Sequence, residues 1–260
     1  MDTKALKKQM GAAIAMVLVA AIALGSATFA WFVTNNNVKA QTSSISAQSN
    51  ASFMTIKYNA TAVDGNDTQD KSTLDNVQLY PATFGEQSGS TKGTFMTGYG
   101  TSTTVGTLSG NLETVGTPDQ ADTAQFAKKL VFNISSRGQN LKNLRVDKVE
   151  EKDLNGDASS TESSINSALR LLIKCGDKWV VLDKDGTFKL GSADINSKDG
   201  VLSETVTADR DTEVDIYLFY EGSDENVYTN NLKKLTASSK VTVTFTADSG
   251  NVTSSASNGE

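Results

Sequence analysis

Residues that could carry out chemistry are scarce in this 260-residue sequence. It contains no histidine and a single cysteine, Cys175. The absence of histidine removes the commonest general base and the commonest zinc ligand in proteins. Cys175 has no partner for a disulfide within the chain, and the apolar residues near it favour a small buried side chain over a reactive thiol. The sequence therefore predicts a protein that is not an enzyme.

Calcium is the one cofactor with a candidate site. Asp153, Asn155 and Asp157 place oxygen atoms at the first, third and fifth positions of a loop, as in a calcium-binding loop. However, Ala158 stands where that loop needs a glycine, and Ser164 where it needs a bidentate glutamate. An ordinary acidic turn is the favoured interpretation, and a calcium site is the alternative.

The charge of the chain excludes one class of partner. The formal net charge is −6, and the positive residues of the N-terminus are followed by a more acidic remainder. An acidic surface is soluble and repels polynucleotides. We therefore expect no nucleic-acid partner.

A signal for export is predicted at the N-terminus. Lysines at positions 4, 7 and 8 precede an uncharged run whose centre, residues 12–24, is continuously apolar, and small side chains follow. This order is the layout of a secretory signal peptide. Thr28 and Ala30 fit the third and first positions before a signal-peptidase cut, which places the cut before Trp31; a cut after Ala27 is the second choice. Signal peptidase would then be a partner during export.

Two other interpretations of the N-terminus stay open. The stretch from Met10 to Val33 is long enough to span a bilayer, so an uncut membrane anchor is possible, and membrane contact is confined to residues 9–33. The apolar segment also resembles archaellin N-termini, which would make it a pilin-like filament core. A prepilin cut after Gly11 requires an acidic residue where Met16 stands, which disfavours this third interpretation.

The rest of the chain alternates between apolar and polar residues in short runs that are rich in Thr, Ser and Val. This pattern predicts an all-β fold, a two-sheet β-sandwich of jelly-roll kind preceded by an apolar N-terminal helix. Gly176 and Asp177 form a candidate hairpin turn. The clearest predicted strands are residues 126–134, 141–149, 168–174, 178–182, 213–220 and 240–247.

The same pattern sets the domain boundaries. We predict a signal segment at 1–30, an N-terminal donor strand or linker at 31–50, a sandwich domain at 51–247 and a polar tail at 248–260. Residues 63–74 and 84–118 contain few large apolar side chains and are predicted as surface loops or an edge insertion. A short helix is predicted at 160–167.

Two segments carry a resemblance to a known family. Residues 26–32 (SATFAWF), followed by a polar stretch and by SSISA at 43–47, resemble the start of TasA/camelysin-type proteins of Gram-positive bacteria, which have a SipW-dependent signal peptide. Residues 214–228 resemble an EG-x-D stretch of such exported proteins, although the cysteine that often follows the aspartate is missing here. A strand pair in residues 133–149 is also similar to one in the family.

The resemblance implies a secreted subunit of biofilm-matrix or cell-surface fibres, with other copies of itself as partners. In that family the mature N-terminal strand is donated to the next subunit, and the matching residues here are Trp31, Phe32, Val33 and Val38. If the segment is instead a flexible linker, the alternative is a membrane-tethered binding module or adhesin. Some relatives are described as metalloproteases, and the lack of histidine speaks against that activity here.

Overall fold

The computed structural model describes residues 16–17, 38–39, 42–49, 53–62, 69–72, 78–85, 93–97, 101–104, 107–109, 113–153, 168–224, 227 and 239–249. The chain divides into two compact units, residues 1–37 and residues 38–260. In the first unit, Met16 and Val17 are described and both are helical. Among the described residues, no helix is both long enough and apolar enough to cross a membrane.

The second unit is mostly β-structure with very little helix. Its one helix in the described residues is α1 (Pro118–Thr123). Its strands are β1 (Val38–Lys39), β2 (Thr42–Ser49), β3 (Met54–Tyr58), β4 (Gln69–Ser72), β5 (Gln78–Leu79), β6 (Ala82–Phe84), β7 (Phe95–Thr97), β8 (Thr101–Thr104), β9 (Thr107–Ser109), β10 (Thr114–Gly116), β11 (Lys128–Ser136), β12 (Leu141–Asp153), β13 (Leu169–Cys175), β14 (Lys178–Asp183), β15 (Phe188–Gly191), β16 (Ser203–Val206), β17 (Thr212–Tyr220) and β18 (Ser239–Ser249).

The larger sheet has six strands in the order β15-β14-β13-β17-β11-β3, and every neighbouring pair is antiparallel. Its β13–β14 hairpin closes at Gly176, whose φ of 58° is in the left-handed region that a tight turn needs. The predicted hairpin turn at Gly176 and Asp177 is therefore confirmed.

The second sheet has five strands in the order β16-β12-β18-β2-β4. Its β2 and β18 pair in parallel, with Ile45 opposite Val241 and Ala47 opposite Val243, whereas its other pairs are antiparallel. A parallel pair cannot be closed by a hairpin, and here the two strands stand at opposite ends of the described second unit. This sheet includes residues 42–49, so the sandwich starts before the predicted boundary at residue 51.

The two sheets enclose one continuous apolar core, as expected for a β-sandwich. Alternate residues of the central strands point into it, and most of them are fully buried. The six-stranded sheet contributes Leu130, Phe132, Ile134, Leu171, Ile173, Val214, Ile216 and Leu218, and the five-stranded sheet contributes Leu144, Val146, Val149, Val241, Val243 and Phe245. The predicted sandwich-like architecture is thus present.

A second apolar core lies on the outer face of the six-stranded sheet. A small sheet in the order β10-β7-β6, together with α1, covers this face. Phe95 packs edge-on against Phe219, with ring centroids 5.1 Å apart, and Phe84 packs perpendicular to Trp179 at 4.9 Å. Tilted and perpendicular aromatic pairs add stability beyond the area they bury.

The sequence-based prediction was wrong about this outer layer. Residues 84–118 were expected to form surface loops or an edge insertion, but Phe84 and Phe95 are buried in the outer core. For the same reason β17 is buried on both faces from Val214 to Tyr220, although its alternation predicts one polar face. The prediction failed because strands of three residues, such as β6 and β7, are too short to show a period.

The strands at 126–134 and 141–149 are present as β11 and β12, but they do not form a hairpin. β11 belongs to the six-stranded sheet and β12 to the five-stranded sheet, so the connection between them passes from one sheet to the other. Gly138 in this connection has a φ of 73°, which only glycine adopts readily. The predicted helix at 160–167 lies outside the described residues.

The outer core gives a direct stability test. Phe95→Ala removes a fully buried ring that contacts two other aromatic rings, and we expect it to lower the free energy of unfolding by about 3–5 kcal/mol. Phe53→Ala is the matched control, because the side chain of Phe53 is 58% exposed. This substitution should change the free energy of unfolding by no more than about 0.5 kcal/mol. Urea denaturation measures both; equal effects would contradict an outer core that contributes to folding.

Candidate functional site

The end of the predicted donor strand is paired within its own chain. Val38, in β1, stands opposite Leu79 of β5, and Lys39 stands opposite Gln78. Leu79 belongs to the inner core, with 3% of its surface exposed. The residues Trp31, Phe32 and Val33, together with the predicted cleavage residues Thr28 and Ala30, lie outside the described residues.

The strand that follows, β2, is held on both sides. It pairs with β18 in parallel and with β4 antiparallel. Ser46 and Ala47 are fully buried, and the hydroxyl oxygen of Ser46 lies 3.4 Å from that of Thr242 on β18. The chain therefore enters the second unit as a series of strands that add to existing β-structure.

The candidate calcium loop is described only at its first residue. Asp153 is the last residue of β12 and pairs with Ser239 of β18, whereas Asn155 and Asp157 lie outside the described residues. Within the described part of the chain, no group of three or more acidic, cysteine or histidine side chains is placed to hold a metal ion.

Four polar side chains form a closed cluster at the border of the outer core, which we call the polar ring. Its members are Lys129 on β11, Asp215 and Tyr217 on β17, and Asp119 in the first turn of α1. Lys129 stands opposite Tyr217 in the β11–β17 ladder. Asp215 is two residues from Tyr217, on the same face of the strand, so all three side chains meet on the outer face of the sheet.

The four side chains of the polar ring are connected to one another by hydrogen bonds and ion pairs. Lys129 Nζ lies 2.9 Å from Asp119 Oδ1 and 3.0 Å from Asp215 Oδ2. The Tyr217 hydroxyl donates to Asp119 Oδ1 at 2.9 Å and lies 3.3 Å from Asp215 Oδ2. Asp215 is only 8% exposed, and its other oxygen, Oδ1, is buried with no hydrogen-bond partner among the described residues.

Electrostatics in the polar ring favour charged lysine and aspartate. Burial opposes the charge of Lys129, but its hydrogen bonds to Asp119 and Asp215 outweigh burial and raise its pKa. Hydrogen bonds from Lys129 and Tyr217 lower the pKa of Asp119. Burial, followed by the neighbouring carboxylates, raises the pKa of Tyr217. The Lys129 ammonium therefore lies between the side chains of Asp119 and Asp215, with a neutral tyrosine beside them.

Local sequence explains how Asp119 reaches the ring. Thr117 and Gln120 form a reciprocal capping box, in which Gln120 N donates to Thr117 Oγ1 and Thr117 N donates to Gln120 Oε1. Pro118 occupies the first helical position, where no amide hydrogen is needed. Asp122 then accepts a hydrogen bond from the backbone amide of Lys129 at 2.8 Å, which ties α1 to β11.

The EG-x-D stretch, residues 221–224, forms a turn at the end of β17 that is held by hydrogen bonds and an ion pair. The carboxylate of Glu221 accepts hydrogen bonds from the amide and the hydroxyl of Ser223, and Asp224 pairs with Arg170 at 3.4 Å. Gly222 N donates to the carbonyl of Ala82, which joins the turn to the outer layer. Burial of the Glu221 carboxyl raises its pKa, while the bonds from Ser223 and the charge of Arg170 act in the opposite direction.

Cys175 lies at the end of β13, where it stands opposite Lys178 and packs against the inner core. Burial raises the pKa of its thiol to about 11. The large aromatic side chains of Trp179 and Tyr220 are buried in the outer and the inner core respectively, and neither is open to a ligand.

Two features of the sequence point to parts of the polar ring. The segment Thr117-Pro118-Asp119-Gln120 is a capping box with proline at the first helical position, which predicts a helix start. A charged Asp215 inside an otherwise apolar strand indicates a buried pairing partner. No pattern in the sequence identifies Lys129 as the partner of Asp215, because the contact between these two residues depends on the register of β11 and β17.

Comparison with known proteins supplies no further constraint. No protein-family model, curated protein or solved structure matches this chain.

The raised pKa of Glu221 predicts how stability changes with pH. The folded state holds this proton more tightly than the unfolded chain, whose glutamate has a pKa near 4.5, so wild type loses stability as pH rises from that value through the raised pKa. Glu221→Gln has no such proton to lose. Urea denaturation at a series of pH values should therefore show that the free energy of unfolding of the variant increases relative to that of wild type as pH rises. A difference that stays constant across the series would contradict a raised pKa of Glu221 in the folded protein.

The thiol of Cys175 should react slowly in the native protein. A pKa of about 11 instead of 9.0 makes its thiolate about a hundredfold rarer near neutral pH, and partial burial slows access further. We expect labelling by iodoacetamide to be at least about tenfold slower in native buffer than in urea, where the pKa returns to its ordinary value, because the greater nucleophilicity of a high-pKa thiolate offsets part of its rarity. Equal labelling rates in native buffer and in urea, measured by intact mass, would show that Cys175 is accessible to the reagent in the folded protein.

Proposed function

We propose that this chain is an exported structural subunit of extracellular or cell-surface fibres, built on a jelly-roll-like sandwich and assembled by donation of the mature N-terminal strand. The observation that carries the proposal is the strand pairing of the chain from Val38, the last of the proposed donor residues, onward. There β1 and β2 both add to existing strands, β1 to β5 and β2 to β18 and β4.

Strand addition suits this segment physically. Main-chain hydrogen bonds supply affinity whatever the sequence, and alternate side chains supply specificity. In an extended strand Trp31 and Val33 project on the same side, and Phe32 on the other. Exposed on a monomer, these three apolar side chains would form an adhesive patch, and donation to a neighbouring copy would cover them.

The sandwich offers places where a strand can add. In the described part of the chain, the six-stranded sheet ends at β15 and β3, and the five-stranded sheet ends at β16 and β4. An edge strand presents unpaired backbone groups that accept a further strand. A subunit with a strand to give and edges to receive one can form a head-to-tail polymer.

Electron microscopy of two purified chains tests the proposal. The chain that starts at Trp31 should form filaments. The chain that starts at Val38 keeps both β1 and β2 but lacks the donor residues, and it should stay monomeric. Monomers from both chains would overturn the proposal and favour the membrane-tethered binding module, and filaments from both would place the polymer contact outside residues 31–37.

A matched pair of substitutions tests the side chains of the donor strand. Val33→Asp introduces a charge at a position expected to be covered in the polymer, and it should abolish filaments because burying an unpaired charge is costly. Asn36→Asp adds the same charge in the polar part of the segment and should leave assembly nearly unchanged. Sedimentation velocity measures the polymer fraction of each. Equal effects would indicate a general charge effect and contradict specific burial of Val33.

A further inference from the structure

The polar ring holds a lysine and a buried carboxyl group in the geometry of a reaction that joins them. Lys129 Nζ lies 3.0 Å from Asp215 Oδ2, so the carboxyl carbon of Asp215 is its near neighbour. Both residues stand on paired strands, whose register keeps them at this separation. Holding two reacting groups in place converts a slow bimolecular reaction into an effectively unimolecular one.

We propose that Lys129 and Asp215 condense to form an intramolecular isopeptide bond between β11 and β17. The Nζ–Cγ bond forms, the Cγ–Oδ2 bond breaks, and Oδ2 leaves as water. The ammonium and the carboxylate together contain every atom of the amide and the water, so neither an oxidant nor a co-reactant is needed. The protein loses the mass of one water molecule. This modification is independent of the proposed fibre function.

The other two members of the polar ring provide the path for the protons. The ammonium must lose a proton before its nitrogen can attack, and Asp119 Oδ1 lies 2.9 Å from it. The Tyr217 hydroxyl donates to that same oxygen at 2.9 Å and lies 3.3 Å from Asp215 Oδ2, the leaving oxygen. A proton accepted by Asp119 can therefore be delivered through Tyr217 to the group that departs.

Burial favours the product over the ion pair. Asp215 Oδ1 is buried and has no hydrogen-bond partner among the described residues, which is costly for an oxygen that shares a negative charge. In the amide the same atom becomes a neutral carbonyl oxygen, and an unpartnered neutral acceptor costs less than an unpartnered charged one. Condensation also removes the charge of Lys129 from a partly buried site.

The positive charge of Lys129 limits the rate of the reaction. The hydrogen bonds to Asp119 and Asp215 raise the pKa of Lys129, so the neutral amine is rare. Attack occurs only when the proton has moved to Asp119, and the bond accumulates slowly after folding. Replacing Asp119 should therefore block bond formation even where the lysine and the reacting aspartate remain.

Mass spectrometry of the full chain tests the proposal. After prolonged incubation, wild type should weigh one water less, and trypsin should release a branched peptide that joins residues 129–137 to residues 211–233. The branched peptide is decisive, because loss of water at an aspartate–glycine sequence such as 64–65 gives the same mass but no branch. Full mass with two separate linear peptides would overturn the proposal.

Three variants locate the chemistry. Lys129→Arg keeps the positive charge but cannot form this amide, and Asp119→Asn removes the proton acceptor; both should retain the full mass. Lys128→Arg changes the adjacent lysine, which pairs with Asp122, and should lose water as wild type does. Circular dichroism confirms that each variant is folded. A branched peptide from Asp119→Asn at the wild-type rate would overturn the role of Asp119, and the wild-type peptide map decides the bond itself whether or not a variant folds.

Discussion

The burial of β17 on both faces is the constraint on which the rest of this structure depends. One face, with Val214, Ile216 and Leu218, closes the inner core, and the other, with Tyr217 and Phe219, requires a cover of its own. A two-sheet sandwich alone would leave that second face in water. The outer layer of β6, β7, β10 and α1 covers this second face, and the polar ring lies at the border of the outer core.

The polar ring follows from this arrangement. Asp215 lies on the outer face of a strand whose neighbours are apolar, so it needs a partner within reach, and Lys129 on β11 provides one. The helix adds Asp119, which leaves a single ammonium between two carboxylates. The hydrogen bonds of this cluster fix the position of α1, and within the described part of the chain Asp215 Oδ1 is its one buried oxygen without a hydrogen-bond partner.

Much of the fold could be predicted from local patterns. The hairpin at Gly176 and the strands β17 and β18 follow from turn chemistry and from a period of two. That period shows which residues share a face, but it does not show which sheet a strand joins, so β11 and β12 were wrongly expected to pair. The polar ring was out of reach for a related reason, since it brings together residues from 119 to 217 through strand register alone.

The parallel pairing of β2 with β18 has a consequence for the order in which the molecule can form. Ser46 and Thr242, which touch across this pair, are 196 residues apart in the chain. A ribosome makes β2 early and β18 near the end, so the centre of the five-stranded sheet cannot close during most of synthesis. Contacts this distant in sequence slow folding. Until the last strand is made, the five-stranded sheet lacks its central strand, and β2 has no neighbour on the side that β18 later occupies.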